Sequence, residues 1–508
     1  MDQFPTMGVP DTGDTAWMLA SSALVLLMTP GLAFFYGGMV RVKSVLNMIM
    51  MSIIAMGVVT VLWVLYGYSL AFGDDVGNVA GNPTQYWGLK GLIGVNGAAA
   101  SGSTPKTDIA LAGTLPQTVF VAFQLMFAII TVALISGAVA DRLKFGSWTI
   151  FAGLWATIVY FPIAHWVFAG DGVTAAHGGW INNKLHAIDF AGGTAVHINA
   201  GVAGLVLCIV LGKRKGWPAN PTRPHNVPFV MLGAGLLWFG WYGFNAGSAT
   251  SANGVAGTTF ITTTVATAAA MLSWLLTERI RDGHATTLGA ASGIVAGLVA
   301  ITPSCSSVNV VGALVIGFVA GVLCALAVGL KFKLGFDDSL DVVGVHLVGG
   351  IVGTLLVGLV AAPQSPAIAG GGGHTSAGLF YGGGFEQLIR QTIGASSVFA
   401  FSAIGTLVIA LVMKYTIGLR VNAEEEVAGI DEAQHAESGY DLGIVGVSVP
   451  AAHPAEGRKY EADHRDREAV HARGHQDEPG AGGSVGDDGE RSSGLRSTEG
   501  AHRGLPGR

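Results

Sequence analysis

The stretch VHINAGVAG, from Val196 to Gly204, has a second copy in VHLVGGIVG, from Val345 to Gly353, and both read V-H-x-x-x-G-x-x-G. Superposing His197 on His346 places Gly201 on Gly350 and Gly204 on Gly353. The two copies fall in the fifth and tenth of a series of apolar runs. Because five is odd, two copies of a five-span unit would thread a membrane in opposite directions, an arrangement that puts a site at their interface near the midplane. A plainer reading also fits the glycines: steps of three and four keep them on one helix face, as in any tightly packed bundle.

Beyond the repeat, the composition supports the membrane reading. Of 508 residues, 51% are hydrophobic and only 12% are charged, against about 25% charged in soluble domains. Mean hydropathy is +0.53. Apolar runs near the ~20 residues needed to cross a bilayer recur along most of the chain. The expected spans are Thr15–Val40, Asn47–Phe72, Gln117–Ala140, Trp148–Phe168, Gly193–Leu211, Pro228–Gly247, Thr258–Leu276, Thr287–Ile301, Val310–Leu330, Val343–Val360 and Ile393–Met413. The fold class this predicts is an all-α integral membrane protein of about eleven transmembrane helices, as inverted five-helix repeats plus a final helix. The 76 glycines suit helices that pack backbone to backbone in lipid.

Lys and Arg in alternate connections set the orientation, since cytoplasmic loops carry the excess. Arg41, Lys43, Arg142, Lys144, Lys213, Arg214, Lys215, Arg223, Arg279, Arg281, Lys331, Lys333, Lys414 and Arg420 fall on one side, whereas the other holds only Lys90, Lys106, Lys184 and Arg390. The N-terminus is therefore expected outside and the C-terminus inside. Residues 1–14 form a short extracellular N-terminus without the basic region of a cleavable signal. The polar connection from Gly73 to Pro116 is expected to be a solvated loop. Cys208, Cys305 and Cys324 lack metal-ligand spacing and read as packing residues. The net charge of −6 gives no reason to expect a nucleic-acid partner.

Polar groups inside apolar spans are costly and tend to face a pore or a partner. A lone membrane histidine can simply bond a neighbouring helix, but His197 and His346 occupy matching places. Neutral imidazoles each present one donor and one acceptor, so a facing pair can pass a small polar solute or a proton along a narrow path. Two histidines without a third ligand do not complete a metal site, and with no nucleophile beside them no enzyme or cofactor is expected. Asp189 precedes the Gly192-Gly193 turn, where a carboxylate can cap helical N–H groups and also attract a cation. Trp241, Phe244 and Ser248 follow i, i+3, i+7 spacing on one face; aromatic faces attract cations and a hydroxyl oxygen accepts from N–H donors. Such a stripe also suits an interface belt.

At DFAGGTAVHINAG, from Asp189 to Gly201, and GWYGFNAGSA, from Gly240 to Ala249, the chain closely resembles the Amt/Mep/Rh ammonium transporter family, and the bacterial Amt branch fits best. FQLMFA from Phe123, DVVGVH ending at His346 and GLRVNAEEE from Gly418 extend the resemblance over Thr15 to Tyr440. It implies a homotrimer in the plasma (inner) membrane, each subunit with its own narrow pore in a membrane domain of residues 15–417. By position it makes Trp241 and Ser248 the outer ammonium site, Phe127 and Phe244 a stacked aromatic gate, His197 and His346 the pore pair, and Asp189 the family's essential aspartate. Phe168 stands where well-known members place a tryptophan, and a phenyl face binds cations less well than an indole.

The function this implies is ammonium transport: recruitment of ammonium, deprotonation near the gate, conduction of ammonia past the twin histidines, and accompanying proton transfer. An ammonium sensor signalling through its tail is the alternative. Residues 418–440 are expected to be a cytoplasmic regulatory region that supports docking of a PII-type signal protein, and residues 441–508 a disordered tail. Back-translating Tyr460 to His464 and reading one nucleotide later permits M-K-L-I-T, the opening of many PII proteins, so this tail is also expected to overlap a downstream gene.

Overall fold

The computed structural model describes residues 4–93, 109–219, 223–370 and 375–440; the tail beyond Tyr440 and its expected gene overlap lie outside them. Ten helices among these residues are long and apolar enough to cross a membrane. They are α1 (Thr12–Met39), α2 (Val42–Phe72), α3 (Gln117–Val139), α4 (Phe145–Phe168), α5 (Gly193–Leu211), α6 (Val227–Ala249), α7 (Gly254–Asp282), α9 (Val310–Leu334), α10 (Val343–Val360) and α11 (Glu386–Thr416), with the shorter apolar α8 (Thr287–Ile301) between α7 and α9. The helices coincide with the expected spans, and the excess length of α7 and α11 lies at their polar ends. At 1.5 Å per residue α8 reaches only about 22 Å, short of the ~30 Å hydrocarbon core. A buried turn from Thr302 to Ser307 completes that layer.

The internal repeat is a contact as well as a pattern. A Cβ added to Gly201 would lie 2.5 Å from the Leu347 backbone nitrogen, and one added to Gly350 would lie 3.1 Å from that of Ile198. Each glycine thus receives the residue that follows the opposite histidine. One turn on, Gly204 packs on Ala138 of α3, and Gly353 on the Ala300 carbonyl of α8. The third and eighth helices are again five apart. The α1–α6 pair has the same character: a Cβ at Gly233, Gly240 or Gly243 would press within 2.4–2.7 Å of α1 backbone atoms. Small residues let these backbones meet where larger ones would hold them apart.

Both histidine-bearing helices open with wide π turns, Gly193–Ile198 and Val343–Leu347. His197 N–H reaches back to the Gly192 carbonyl at 3.1 Å. Each opening is capped by an aspartate eight residues before its histidine. Asp338 accepts from Val342 N–H at 3.2 Å and Val343 N–H at 2.8 Å, in the place that Asp189 holds for α5. Asp338 is tied to the face on which residues 418–440 pack, and Asp189 to the opposite, N-terminal face, so α5 and α10 run antiparallel.

Two small sheets depart from an all-helical chain. Strand β1 (Thr6–Gly8) pairs antiparallel with β4 (Ile109–Ala112), which pairs with β5 (Leu115–Pro116), while β2 (Asp75–Val76) pairs with β3 (Ala80–Gly81). The connection expected to be solvated therefore buries Tyr86, Leu89 and Leu92. Aromatic and aliphatic groups inside a polar-looking loop found apolar cover on the helix ends. The three cysteines are buried and free.

On the tail face, ionic pairs tie the connections together. Arg214 meets Asp337 at 2.8 Å and Asp141 at 3.5 Å. Arg142, fully buried, donates to the Asp337 carbonyl at 2.5 Å and to Ser339 Oγ at 2.5 Å. Burial pushes the Arg142 guanidinium down to about 10, and Asp337 opposes that shift. Residues 418–440 dock on this platform through α12 (Ala423–Ala428) and α13 (Ile430–His435). Glu426 pairs with Arg420 at 2.7 Å and accepts from Lys215 N–H at 2.5 Å. Asp431 caps the start of α2 at Leu46 and Asn47.

The glycine contacts carry a prediction. Gly353→Ala would set a methyl 2.0 Å from the Ala300 oxygen, an overpacking that costs about 1–3 kcal/mol. Thermal unfolding in detergent should show a lower midpoint for this variant, whereas Gly146→Ala, whose Cβ meets nothing within 4 Å, should unfold no earlier than the parent.

Candidate functional site

On the N-terminal face a pocket of about 360 Å³ opens between α3, α4, α6 and the segment leading into α5, with Phe127, Phe168, Asp189 and Ser248 in its wall. Its floor is aromatic. Phe127 and Phe244 stack with ring centroids 4.2 Å apart and planes at 30°, which leaves no passage between them. Phe168 meets Phe127 edge-on at 6.1 Å. The Ser248 hydroxyl donates to the Phe244 carbonyl at 2.7 Å. With its hydrogen committed, the oxygen faces other groups as an acceptor only, which suits an N–H donor.

Asp189 is half-buried at the pocket's edge. Its carboxylate accepts from Gly192 N–H at 2.9 Å, Gly193 N–H at 2.5 Å, Thr194 N–H at 2.8 Å and Ala195 N–H at 3.2 Å, and from the Thr194 hydroxyl. Desolvation pushes the carboxyl above its ordinary range, while these donors, the Thr194 hydroxyl foremost, pull the other way. Capping of the π turn accounts for its bonds. Its negative charge is nonetheless part of the pocket wall.

Beyond the stacked phenyls lies a second space of about 10 Å³, walled by Leu32, Val196, Leu237, Trp241, Phe244 and the two histidines, among others. That volume is about the minimum for one water-sized molecule. His197 Nδ1 and His346 Nδ1 are 3.3 Å apart, with planes at 23°. A neutral pair joined this way holds one proton between two nitrogens, so the rings must be opposite tautomers. Neither side chain bonds anything else among the described residues, and the buried Nε2 of His197 has no partner there. A third buried histidine sharpens the contrast. His165 is held at both ring nitrogens, by the Ala71 carbonyl and Asp75, each at 3.1 Å, and so serves to fasten α4 to α2.

Of the residues selected from sequence, Phe127, Phe168, Asp189 and Ser248 gather at the outer pocket, and His197, His346 and Phe244 border the inner space. Trp241 is not with the first group. It lies on the far side of Phe244, 2% exposed, stacked on His197 at 5.4 Å and 16°, and it is absent from the outer pocket's wall. The i, i+7 spacing puts Trp241 and Ser248 on one face but about 10 Å apart along the axis, enough for the stacked phenyls to fall between them. The cap at Asp338 was overlooked from sequence, although its spacing to His346 repeats that of Asp189 to His197.

The chain is similar to known proteins in both sequence and fold. The family model described as Ammonium Transporter Family matches residues 16–440. The chain is 80% identical over 451 residues to an ammonium transporter of Mycobacterium tuberculosis, covering 88% of this chain and 94% of that one. It is 49% identical over 434 residues to an ammonium transporter of Aquifex aeolicus, covering 85% and 94%. Among solved structures, Candida albicans Mep2 superposes with a TM-score of 0.72 at 34% identity, covering 82% of this chain and 88% of that one. A structure described as a sensor Amt protein does so with 0.73 at 28%, covering 83% and 98%.

The Asp189 cap predicts a graded loss. Asp189→Ala orphans every donor it serves and should cost about 2 kcal/mol or more, seen as a clear fall in the thermal midpoint of the detergent-solubilised protein. Asp189→Asn, which keeps one acceptor oxygen, should fall less.

Proposed function

The chain belongs to the ammonium transporter family, and from that premise we propose that it moves ammonium across the membrane by a proton-stripping route. Ammonium is taken up at the pocket of Phe127, Phe168 and Ser248, with Asp189 adding negative charge. It gives up a proton near the Phe127–Phe244 gate. Ammonia then passes Trp241, His197 and His346, and is reprotonated beyond them, with a proton following by way of the histidine pair. Trp241 enters this scheme as a wall of the pore.

The observation that carries the reading is the histidine pair, joined at 3.3 Å and otherwise unbonded in an apolar enclosure. A bare cation at the centre of a membrane costs at least ~3 kcal/mol; neutral ammonia, with three donors and one acceptor, escapes most of that. A space for one small molecule beside two imidazoles fits such a solute and excludes a hydrated ion. The distribution of Lys and Arg supports an arrangement with the Ser248 pocket outside and residues 418–440 in the cytoplasm.

In this reading the protein is a homotrimer in the cell membrane, and its docked tail, residues 418–440, is a regulatory element open to a PII-type signal protein. The exposed side chains of Phe318, Ile404 and Val408 supply apolar surface for lipid and for neighbouring subunits. The sensor reading draws on the likeness to the sensor Amt structure and makes a different demand, a conformational output without flux.

Purified protein in liposomes should carry a current when ammonium is added outside, and His197→Ala should abolish it. Folded protein that passes neither charge nor ammonia would overturn transport in favour of sensing. Phe168→Trp should lower the half-saturating ammonium concentration about threefold to fivefold, since an indole face holds a cation up to ~1 kcal/mol better at a partly exposed site.

A further inference from the structure

We propose that Thr302 is a positioning residue of the pore: its hydroxyl oxygen anchors the Trp241 indole, and the indole sets the plane of the His197 ring. The inference rests on the reading of His197 and His346 as the conducting pair.

His197 has little to hold it. Its side chain makes one hydrogen bond, from Nδ1 to His346, and rotation of the ring about Cβ–Cγ would swing that nitrogen away. The restraint on rotation comes from flat neighbours, chiefly Trp241, nearly parallel at 16° with centroids 5.4 Å apart. An indole can restrain an imidazole only if it is itself fixed.

Trp241 is fixed at its far edge. Its Nε1–H donates to Thr302 Oγ1 at 2.9 Å. The Thr302 hydroxyl hydrogen is engaged by the Leu298 carbonyl one turn back, at 2.7 Å, so its oxygen is left as an acceptor with a set direction. Asn245 Oδ1 lies 3.3 Å from the same hydroxyl, and Asn245 Nδ2 donates to Thr263 Oγ1 at 3.0 Å. Thr302, Asn245 and Thr263 are all fully buried. The chain of bonds ties α6 to the end of α8 and the body of α7. The shortness of α8 is what makes this possible, because Thr302, the residue just past its C-terminus, meets the indole that stacks on His197.

Three variants in liposomes test the assignment. Thr302→Val keeps the shape and removes the acceptor. It should lower the maximal ammonium current about tenfold while leaving the half-saturating concentration within about twofold, since the outer pocket is untouched. Thr302→Ser should restore the current. Trp241→Phe, which has no N–H to anchor, should lower the current by itself, and adding Thr302→Val to it should change nothing further. A wild-type current in Thr302→Val, or an equal further loss in the Trp241→Phe background, overturns the proposal. If Thr302→Val does not reach the membrane, Trp241→Phe decides alone, and an undiminished current there overturns it. Absence of current from the unmodified protein overturns the transport reading, and the positioning role with it.

Discussion

The contact between α5 and α10 governs the arrangement of everything around the two histidines. Gly201 and Gly350 each seat the backbone beside the opposite histidine, and this reciprocal approach is what brings two imidazole nitrogens to 3.3 Å. Any side chain at those glycines would part the helices and separate the rings. The neighbouring contacts repeat the geometry, Gly204 with α3 and Gly353 with α8. The surrounding helices hold the pair from matching sides.

A helix that begins inside a membrane protein must find partners for its first N–H groups. Asp189 and Asp338 supply them, one from each face, and in doing so allow α5 and α10 to open with wide turns. A π turn adds a residue to its circuit and rotates the next stretch of helix about the axis, which is a frequent device at functional sites. Here it lies just where the histidines stand. Capping does not withdraw Asp189 from the pocket: the carboxylate that caps the start of α5 is also part of the wall of the outer pocket.

The tail face uses a different physics. The buried Arg142 and the partly buried Arg214 are tolerated because carboxylates and carbonyls surround them, and breaking such a set is far costlier than its net stabilisation suggests. Glu426 joins that set from the tail. Residues 418–440 are thereby connected, through a few ionic contacts, to the loops that begin α2, α4, α6 and α10, a fitting location for the regulation proposed for them.

Much of the fold was legible in the sequence, because hydropathy and spacing are local properties. The apolar runs located the helices, including the unusual length of α8. The V-H-x-x-x-G-x-x-G repeat identified the pair of histidines and the glycines beneath them, and the motifs pointed to the phenyls that stack and to Phe168, Asp189 and Ser248 around the outer pocket. What spacing could not supply was depth and partnership. Trp241 and Ser248 share a helix face, yet only the stacking of Phe127 from α3 against Phe244 decides that Ser248 lies on the outer-pocket side of the phenyl pair and Trp241 beyond it. Likewise Thr302 acquires its place from an indole on α6, and residues 418–440 from arginines far earlier in the chain. Local pattern was enough to say which segments cross the membrane and which residues are chemically exceptional within them. Which of those residues meet was settled by the folded chain, because each meeting is made by atoms from helices distant in sequence and is set by packing within an ångström.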